Sequence, residues 1–211
     1  MLKMIGIMAQ GSLVSLEVFF LTLLFALPLG LPIAAARMSK FKPLAWLSNI
    51  FLLIIRGTPL MLQLIFVYFA PFHLFGVSYD RFVAAIIAMS VNYAAYFAEI
   101  YRGGIQAVPK GQYEAAKVLG YTKAQTFFRI VLPQVIKNIT PAMGNEVITL
   151  VKDTSLVQVI GVAELLRTAQ TQSSRLFSTT PIFVAGIFYF VMNWAVSAFF
   201  NFLEKKLNYY K

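Results

Sequence analysis

The 211-residue chain contains no cysteine and a single histidine, and only 12% of its residues are charged. Without cysteine there is no disulfide scaffold and no thiol-based metal or redox chemistry. The lone His73 cannot build a histidine metal site. No G-x-x-x-x-G-K-[ST] string occurs, so nothing here cradles a nucleotide phosphate, and no H-E-x-x-H string occurs either. Neither an internal repeat nor a low-complexity segment is visible. Serines are present, but His73 sits beside Pro71 in a turn-like stretch with no sign of a triad. Catalysis by this chain is therefore not expected.

What is abundant is apolar residues, 59% of the chain, with a mean hydropathy of +0.74. Soluble domains carry about a quarter charged residues, so the composition describes an integral membrane protein. A span needs about twenty largely apolar residues. Five segments qualify: 12–36, 44–69, 82–101, 134–151 and 181–203. The apolar region that begins the chain is too long for a cleaved signal peptide, and basic residues follow it directly, so it reads as a retained span. Gly30 and Pro32, with Pro28, are expected to bend it. The second segment is interrupted by Arg56-Gly57-Thr58-Pro59, where proline removes a backbone donor. Residues 44–55 then read as a shallow or interfacial helix, with the crossing starting near Pro59.

The net charge of +10 is not spread as a nucleic-acid binder would spread it. Arg37, Lys40 and Lys42 follow the first span. Arg102, Lys110, Lys117, Lys123, Arg129 and Lys137 lie in and around a long polar connection, and Lys205, Lys206 and Lys211 end the chain. These twelve of the eighteen basic residues occupy alternate connections. That asymmetry places them in the cytosol, with the N-terminus outside and the C-terminus inside.

The long polar connection, residues 108–133, reads as two short helices in tandem. Pro109 suits the start of the first, just inside it, and Gly120 its end. Thr122 and Gln125 have capping-box spacing for the second. Gln112, Ala115, Ala116 and Leu119 share one face of the first helix; Ala124, Phe127, Phe128 and Val131 share one face of the second. Small side chains on the first face let another surface approach, so the pair offers a docking surface.

This connection also resembles a known motif. Glu114-Ala115-Ala116, three residues, Gly120, nine residues, Ile130, one residue and Leu132-Pro133 is similar to the EAA loop of bacterial ABC-importer permeases at every position. RGTPLMLQL at 56–64 and KDTSLVQVIGVAELL at 152–166 narrow the resemblance to the permeases of polar amino acids: histidine, arginine, glutamine, glutamate and opines. The resemblance covers nearly the whole chain. It implies an all-α membrane fold of about five transmembrane helices, the type I importer permease, with residues 1–211 as a single transmembrane domain. It also implies a cytosolic coupling helix seated in a groove of a separate ATPase subunit, with Glu114, Ala115, Ala116, Gly120, Leu132 and Pro133 as coupling residues. In such a family ATP and magnesium belong to the ATPase and no cofactor to this chain. A second permease subunit faces this one, here expected to be an identical copy. An extracellular solute-binding protein delivers the amino acid, and the assembly lies in the cytoplasmic (inner) membrane.

Ionisable and polar groups inside spans are functional candidates. Asn92, Tyr93 and Tyr96 lie mid-span, away from the interfaces where tyrosines anchor. Glu146, Asp153, Thr154, Ser155 and Glu164 lie in or after the fourth span, where a polar break at membrane depth marks a cavity or buried protein. Taken singly, each is explained by packing or helix–helix hydrogen bonding; as a set they suggest a solute pathway. Glu99 and Arg102 fall on one helix face and are expected to pair. Glu17, Glu146, Asp153 and Glu164 outnumber Lys152 and Arg56, which favours a cationic amino acid such as arginine, lysine or histidine. On this reading Thr154 and Ser155 meet the solute carboxylate. The alternatives are a glutamine or glutamate importer of the same class, or an ion-coupled secondary transporter. The latter would show two repeated halves, and five spans do not divide evenly.

Overall fold

A computed structural model describes residues 2–207, nearly all of them helical. The helices are α1 (Leu2–Arg37), α2 (Lys42–Gly57), α3 (Leu60–Phe75), α4 (Arg81–Gln106), α5 (Lys110–Val118), α6 (Lys123–Thr126), α7 (Leu132–Asp153), α8 (Leu165–Leu176) and α9 (Thr180–Leu207). Lys211, counted above among the basic residues at the chain end, lies outside the described residues.

Among the described residues three helices are long and apolar enough to cross a membrane: α1, α4 and α9. The α2–α3 pair is a fourth candidate, bent by 107° at Thr58-Pro59. The bend agrees with the reading of α2 as an interfacial helix, since α2 leaves Trp46, Leu47 and Leu53 exposed on one side. The fourth expected segment is α7, whose 22 residues reach about 33 Å at 1.5 Å per residue. Lys137, Glu146, Lys152 and Asp153 make it too polar to qualify by composition. It packs against both α4 and α9.

The core forms where α4 packs on α1, the most extensive helix pairing. Alanines at 84, 85, 88, 94, 95 and 98 of α4 are all buried. Their small side chains let the backbones approach, which drives packing between helices that have no hydrophobic gain over lipid. Gly30 lies where α1 touches α4: a Cβ there would sit 3.2 Å from the Ala94 carbonyl oxygen. Helix α1 runs unbroken through Pro28 and Pro32, with the Tyr101 hydroxyl donating to the Leu27 carbonyl at 3.2 Å. By contrast, α9 exposes Phe183, Ile187, Phe190 and Trp194, the face of a lipid-facing helix.

Two expectations for the polar connection are corrected. Pro109 is the residue before α5, not its first helical residue. The second short helix is not separate: α6 continues through a π-helical turn at Phe127–Val131 into α7. The cause is Pro133, which has no N–H for the ladder. The Leu132 N–H reaches back five residues to the Phe127 carbonyl, and the Ile130 carbonyl accepts from Gln134 Nε2 at 2.8 Å. The wider turn also splits the expected apolar face. Phe127 and Val131 turn inward toward Val108 and Val135, whereas Phe128 is exposed.

Candidate functional site

The α5–α6 hairpin is built by local rules. Gly120 has φ +76°, the left-handed conformation that glycine adopts without penalty. The Tyr121 N–H closes the turn on the Ala116 carbonyl at 3.0 Å, a glycine-based helix end. Thr122 Oγ1 then accepts from the Gln125 N–H at 3.3 Å, while Gln125 Oε1 accepts from the Thr122 N–H at 2.9 Å. Both halves of the capping box are present. Ala116 is buried beneath the hairpin, and Glu114, Ala115 and Gly120 stay on its surface. Val118 is 88% exposed and Leu119 71% exposed. Exposed apolar side chains thus stand on a hairpin whose central turn is fixed by caps on both sides. Leu132 and Pro133 are not on that surface; they sit at the π turn that joins the hairpin to α7. Below the hairpin, Val108, Val131 and Val135 cluster with Ile105 and Ile139 and lock α4 to α7.

The polar residues of α4 point to two different neighbours. Asn92 is buried and its Nδ2 donates to Gln63 Oε1 at 2.9 Å. Gln63 Nε2 in turn donates to the Ile55 carbonyl at 2.7 Å and to Thr58 Oγ1 at 2.9 Å. Asn92 thus braces the α2–α3 bend, a sufficient structural reason for its polarity. The sequence reading missed Gln63, although a lone glutamine four residues past Pro59 in an apolar helix was its signal.

Tyr93 faces the other way. It is buried, and its hydroxyl donates to Asp153 Oδ2 at 2.8 Å. The rings of Tyr93 and Tyr96 lie 6.4 Å apart. The Arg56 guanidinium stacks 5.3 Å from the Tyr96 ring centroid, and its Nη1 lies 3.6 Å from Glu99 Oε2. Glu99 and Arg102 pair as expected, at 2.8 Å. Arg37, unanticipated in this role, approaches the same carboxylate at 3.9 Å. One acidic side chain thus gathers arginines from the ends of α1 and α2 and from α4. Half-buried Glu146 on α7 lies within electrostatic reach of both Asp153 and Arg56. A row of polar side chains therefore runs from Asp153 through Tyr93, Tyr96 and Arg56 to Glu99.

The residues after α7 are mostly occupied by backbone. The chain leaves α7 through a 3₁₀ segment, Thr154–Ile160, that ends at Gly161 with φ +93°. Thr154 Oγ1 donates to the Val151 carbonyl and Ser155 Oγ to the Lys152 carbonyl, both at 2.8 Å. Glu164 is fully buried and caps α8. Its carboxylate accepts from the N–H groups of Leu166 and Arg167, both at 2.7 Å, and from the Tyr189 hydroxyl at 2.9 Å. Ser15 Oγ completes the shell at 3.5 Å. That set of partners stabilises a buried carboxylate without any solute. Structure thus joins Tyr93, Tyr96 and Asp153 in one track, leaves Glu146 half-buried on α7, and bonds Asn92 and Glu164 to other partners.

Residues 26–209 match the family model described as the binding-protein-dependent transport system inner membrane component. The chain is 37% identical over 199 residues to the arginine transport system permease protein ArtQ of Bacillus subtilis (strain 168), covering 94% of this chain and 91% of ArtQ. It is 40% identical over 206 residues to the L-cystine transport system permease protein TcyB of the same organism, covering 97% and 88%. A solved amino acid ABC transporter with histidines superposes with a TM-score of 0.90 at 38% identity, covering 98% of this chain and 96% of that one.

Proposed function

The chain belongs to the binding-protein-dependent transport system inner membrane component family, as a permease subunit of an amino-acid ABC importer with the type I fold, and we propose that it couples to its ATPase through the α5–α6 hairpin to import a cationic amino acid. It is a transport component of the membrane and not itself an enzyme. The observation that carries the coupling reading is the hairpin: its central turn capped on both sides, with Val118 and Leu119 exposed, and tied by the Val108–Val131–Val135 cluster to α4 and α7. Closure of the ATPases on ATP pulls on a rigid handle, and the cluster passes the displacement to the two helices that carry the polar track. ATP drives the cycle because it favours one of the two conformations over the other. On this reading Glu114, Ala115 and Gly120 lie at the contact, Ala116 supports them from beneath the hairpin, and ATP and magnesium stay on the partner.

The hairpin and the basic C-terminal end then face the cytosol, the N-terminus faces outside, and a second, identical copy completes the pathway across a two-fold axis. A solute-binding protein delivers the amino acid from outside. The cationic preference is supported by Glu146 and Asp153 beside Tyr93 and Tyr96, since a carboxylate at low dielectric favours a second positive charge. A photo-cross-linking residue at position 118, in the chain co-expressed with its ATPase, tests the coupling reading. The reading expects capture of the ATPase from position 118 and none from the lipid-facing position 190. Equal capture at both, or none at 118 in a transporting complex, overturns it.

A further inference from the structure

Arg81 opens α4, at the end of that helix remote from the α5–α6 hairpin, and Arg167 lies in the first turn of α8. Between them stands Gly161, whose φ of +93° ends the 3₁₀ segment. A Cβ there would lie 2.8 Å from Arg81 Nη1 and 3.3 Å from Arg167 Nη1, so the two guanidinium groups flank one point of backbone. Each is held by a single hydrogen bond: Arg81 Nε donates to the Tyr68 hydroxyl at 3.3 Å, and Arg167 Nη1 to the Gln158 carbonyl at 3.2 Å. A guanidinium has five N–H donors, so most of them are unspent. Among the described residues neither arginine makes an ion pair. Asp80, next in the chain to Arg81, is turned to the N–H groups of Phe82 and Val83 instead. Two like charges this close repel each other, and an anion placed between them is attracted to both. Arg167 also lines an open cleft of about 320 Å³ with Gln158, Gln170, Thr171 and Ser174. The helix beneath the cleft is firmly seated. Leu165 and Ala169 are buried against Met8 and Ala185, and Glu164 caps the first turn, which holds the polar face of α8 outward.

We propose that this surface is where the solute-binding protein docks, and that the partner presents an aspartate or glutamate carboxylate to Arg81 and Arg167 together. The inference rests on the importer reading above and its orientation, which puts the start of α4 and the whole of α8 outside, and deepens it by naming the contact. A guanidinium fork matches a carboxylate in two parallel hydrogen bonds. The amides and hydroxyls of the cleft surround that charged anchor with a polar rim. The solute itself is a poorer occupant. A cationic amino acid is repelled by two guanidinium groups, and on an open helix face a small carboxylate stays in water, where an ion pair contributes little. A protein covers the surface, and the field of the two arginines steers its acidic patch into place. Tyr68 and Gln158 are positioning residues that aim the two guanidinium groups, and Gly161 leaves room for both because it has no side chain. The 3₁₀ segment continues from α7, whose other end carries the hairpin. Docking outside and the ATPase inside therefore act on the two ends of one helix.

Docking is measured as binding between the purified permease–ATPase complex, in nanodiscs of zwitterionic lipid, and the loaded solute-binding protein that stimulates its ATP hydrolysis. Wild type is expected to lose affinity about tenfold or more between about 0.1 M and about 1 M salt, as the charges are screened. Arg81→Gln and Arg167→Gln should each raise Kd about tenfold, chiefly by slowing association. The double variant should lose less than the product of the two, because both arginines serve one carboxylate. Arg175→Gln removes the same charge two turns further along α8 and should cost less than about twofold. In ATP hydrolysis the Arg81 and Arg167 variants should need more binding protein for half-maximal stimulation and still reach the wild-type maximum. A merely structural role would lower that maximum and the unfolding midpoint instead. The docking site is overturned if wild-type affinity ignores salt, an outcome that requires no variant to fold, or if Arg175→Gln costs as much as Arg167→Gln. It is equally overturned if the arginine variants weaken binding only in nanodiscs of anionic lipid, which would make the ligand a lipid headgroup. A fully multiplicative loss in the double variant overturns the shared carboxylate. Failure of the importer reading looks different: no solute-binding protein stimulates ATP hydrolysis by the wild-type complex.

Discussion

Replacing Gly104 by alanine perturbs a close approach of α4 and α7 beneath the hairpin. A Cβ at this buried position would overlap Ile139 Cγ2 and lie 3.3 Å from Val135 Cγ1. Comfortable carbon–carbon contact is about 3.5–4.0 Å, so Ile139 must rotate or α7 must move. Rotation is resisted because a β-branched side chain in a helix has one strongly preferred rotamer. Overpacking of this kind costs about 1–3 kcal/mol. Against it stands the gain of alanine over glycine in a helix interior, about 1 kcal/mol. The net effect is a loss of about 1 kcal/mol, or roughly 2–4 °C in the unfolding midpoint for a chain of this size. Ile139→Ala removes the offending methyl, so the double variant should recover the clash part of the loss, giving a coupling energy of about 1–3 kcal/mol between the two sites. Thermal unfolding of the purified complex measures the stabilities, and ATP hydrolysis stimulated by the loaded binding protein measures the coupling. Gly104→Ala should lower that stimulation, and Ile139→Ala should partly restore it. A Gly104→Ala protein as stable and as well coupled as wild type, with additive effects in the double variant, would refute the reasoning.

At Gly120, valine must adopt φ +76° with a β-branched side chain, so Gly120→Val should release the ATPase from the complex during gel filtration while the helix content stays unchanged. Cysteines placed at positions 40 and 123 should react with an impermeant thiol reagent only in inside-out vesicles, and one at position 76 only in intact cells; labelling of position 123 in intact cells contradicts the orientation. Glu164→Gln removes charge from the α8 cap and should lower thermal stability by about 1 kcal/mol, a typical capping loss, while leaving the order of competing solutes unchanged; a changed order would return Glu164 to the pathway. In competition for uptake, lysine and histidine should displace labelled arginine better than glutamine or glutamate does, and the opposite order would remove the cationic preference.

The hairpin was the most legible part of the sequence because its rules are local: Gly120 and the Thr122–Gln125 box act within a few residues of themselves. The bend at Thr58-Pro59 was legible for the same reason. The fate of α7 was harder to read. Its charges lower its hydropathy, and only packing between α4 and α9 shows how a helix carrying them is accommodated. The merging of α6 into α7 follows from Pro133, but a π turn and an α-helix start look alike in sequence. Least legible were the polar partners. Glu164 meets Ser15 across 149 residues and Tyr189 across 25, and Asn92 meets Gln63 across 29. Side-chain chemistry alone made each of them a pathway candidate; the fold decides which carboxylates and amides are already satisfied.

The central claim is that the chain is the membrane path of an ATP-driven amino-acid importer, and uptake into reconstituted vesicles tests it most directly. Vesicles containing the chain with its ATPase, with binding protein outside and ATP inside, should accumulate labelled arginine above its external concentration. Accumulation should stop without ATP and persist when ion gradients are collapsed. Accumulation that follows an ion gradient and ignores ATP would contradict the account.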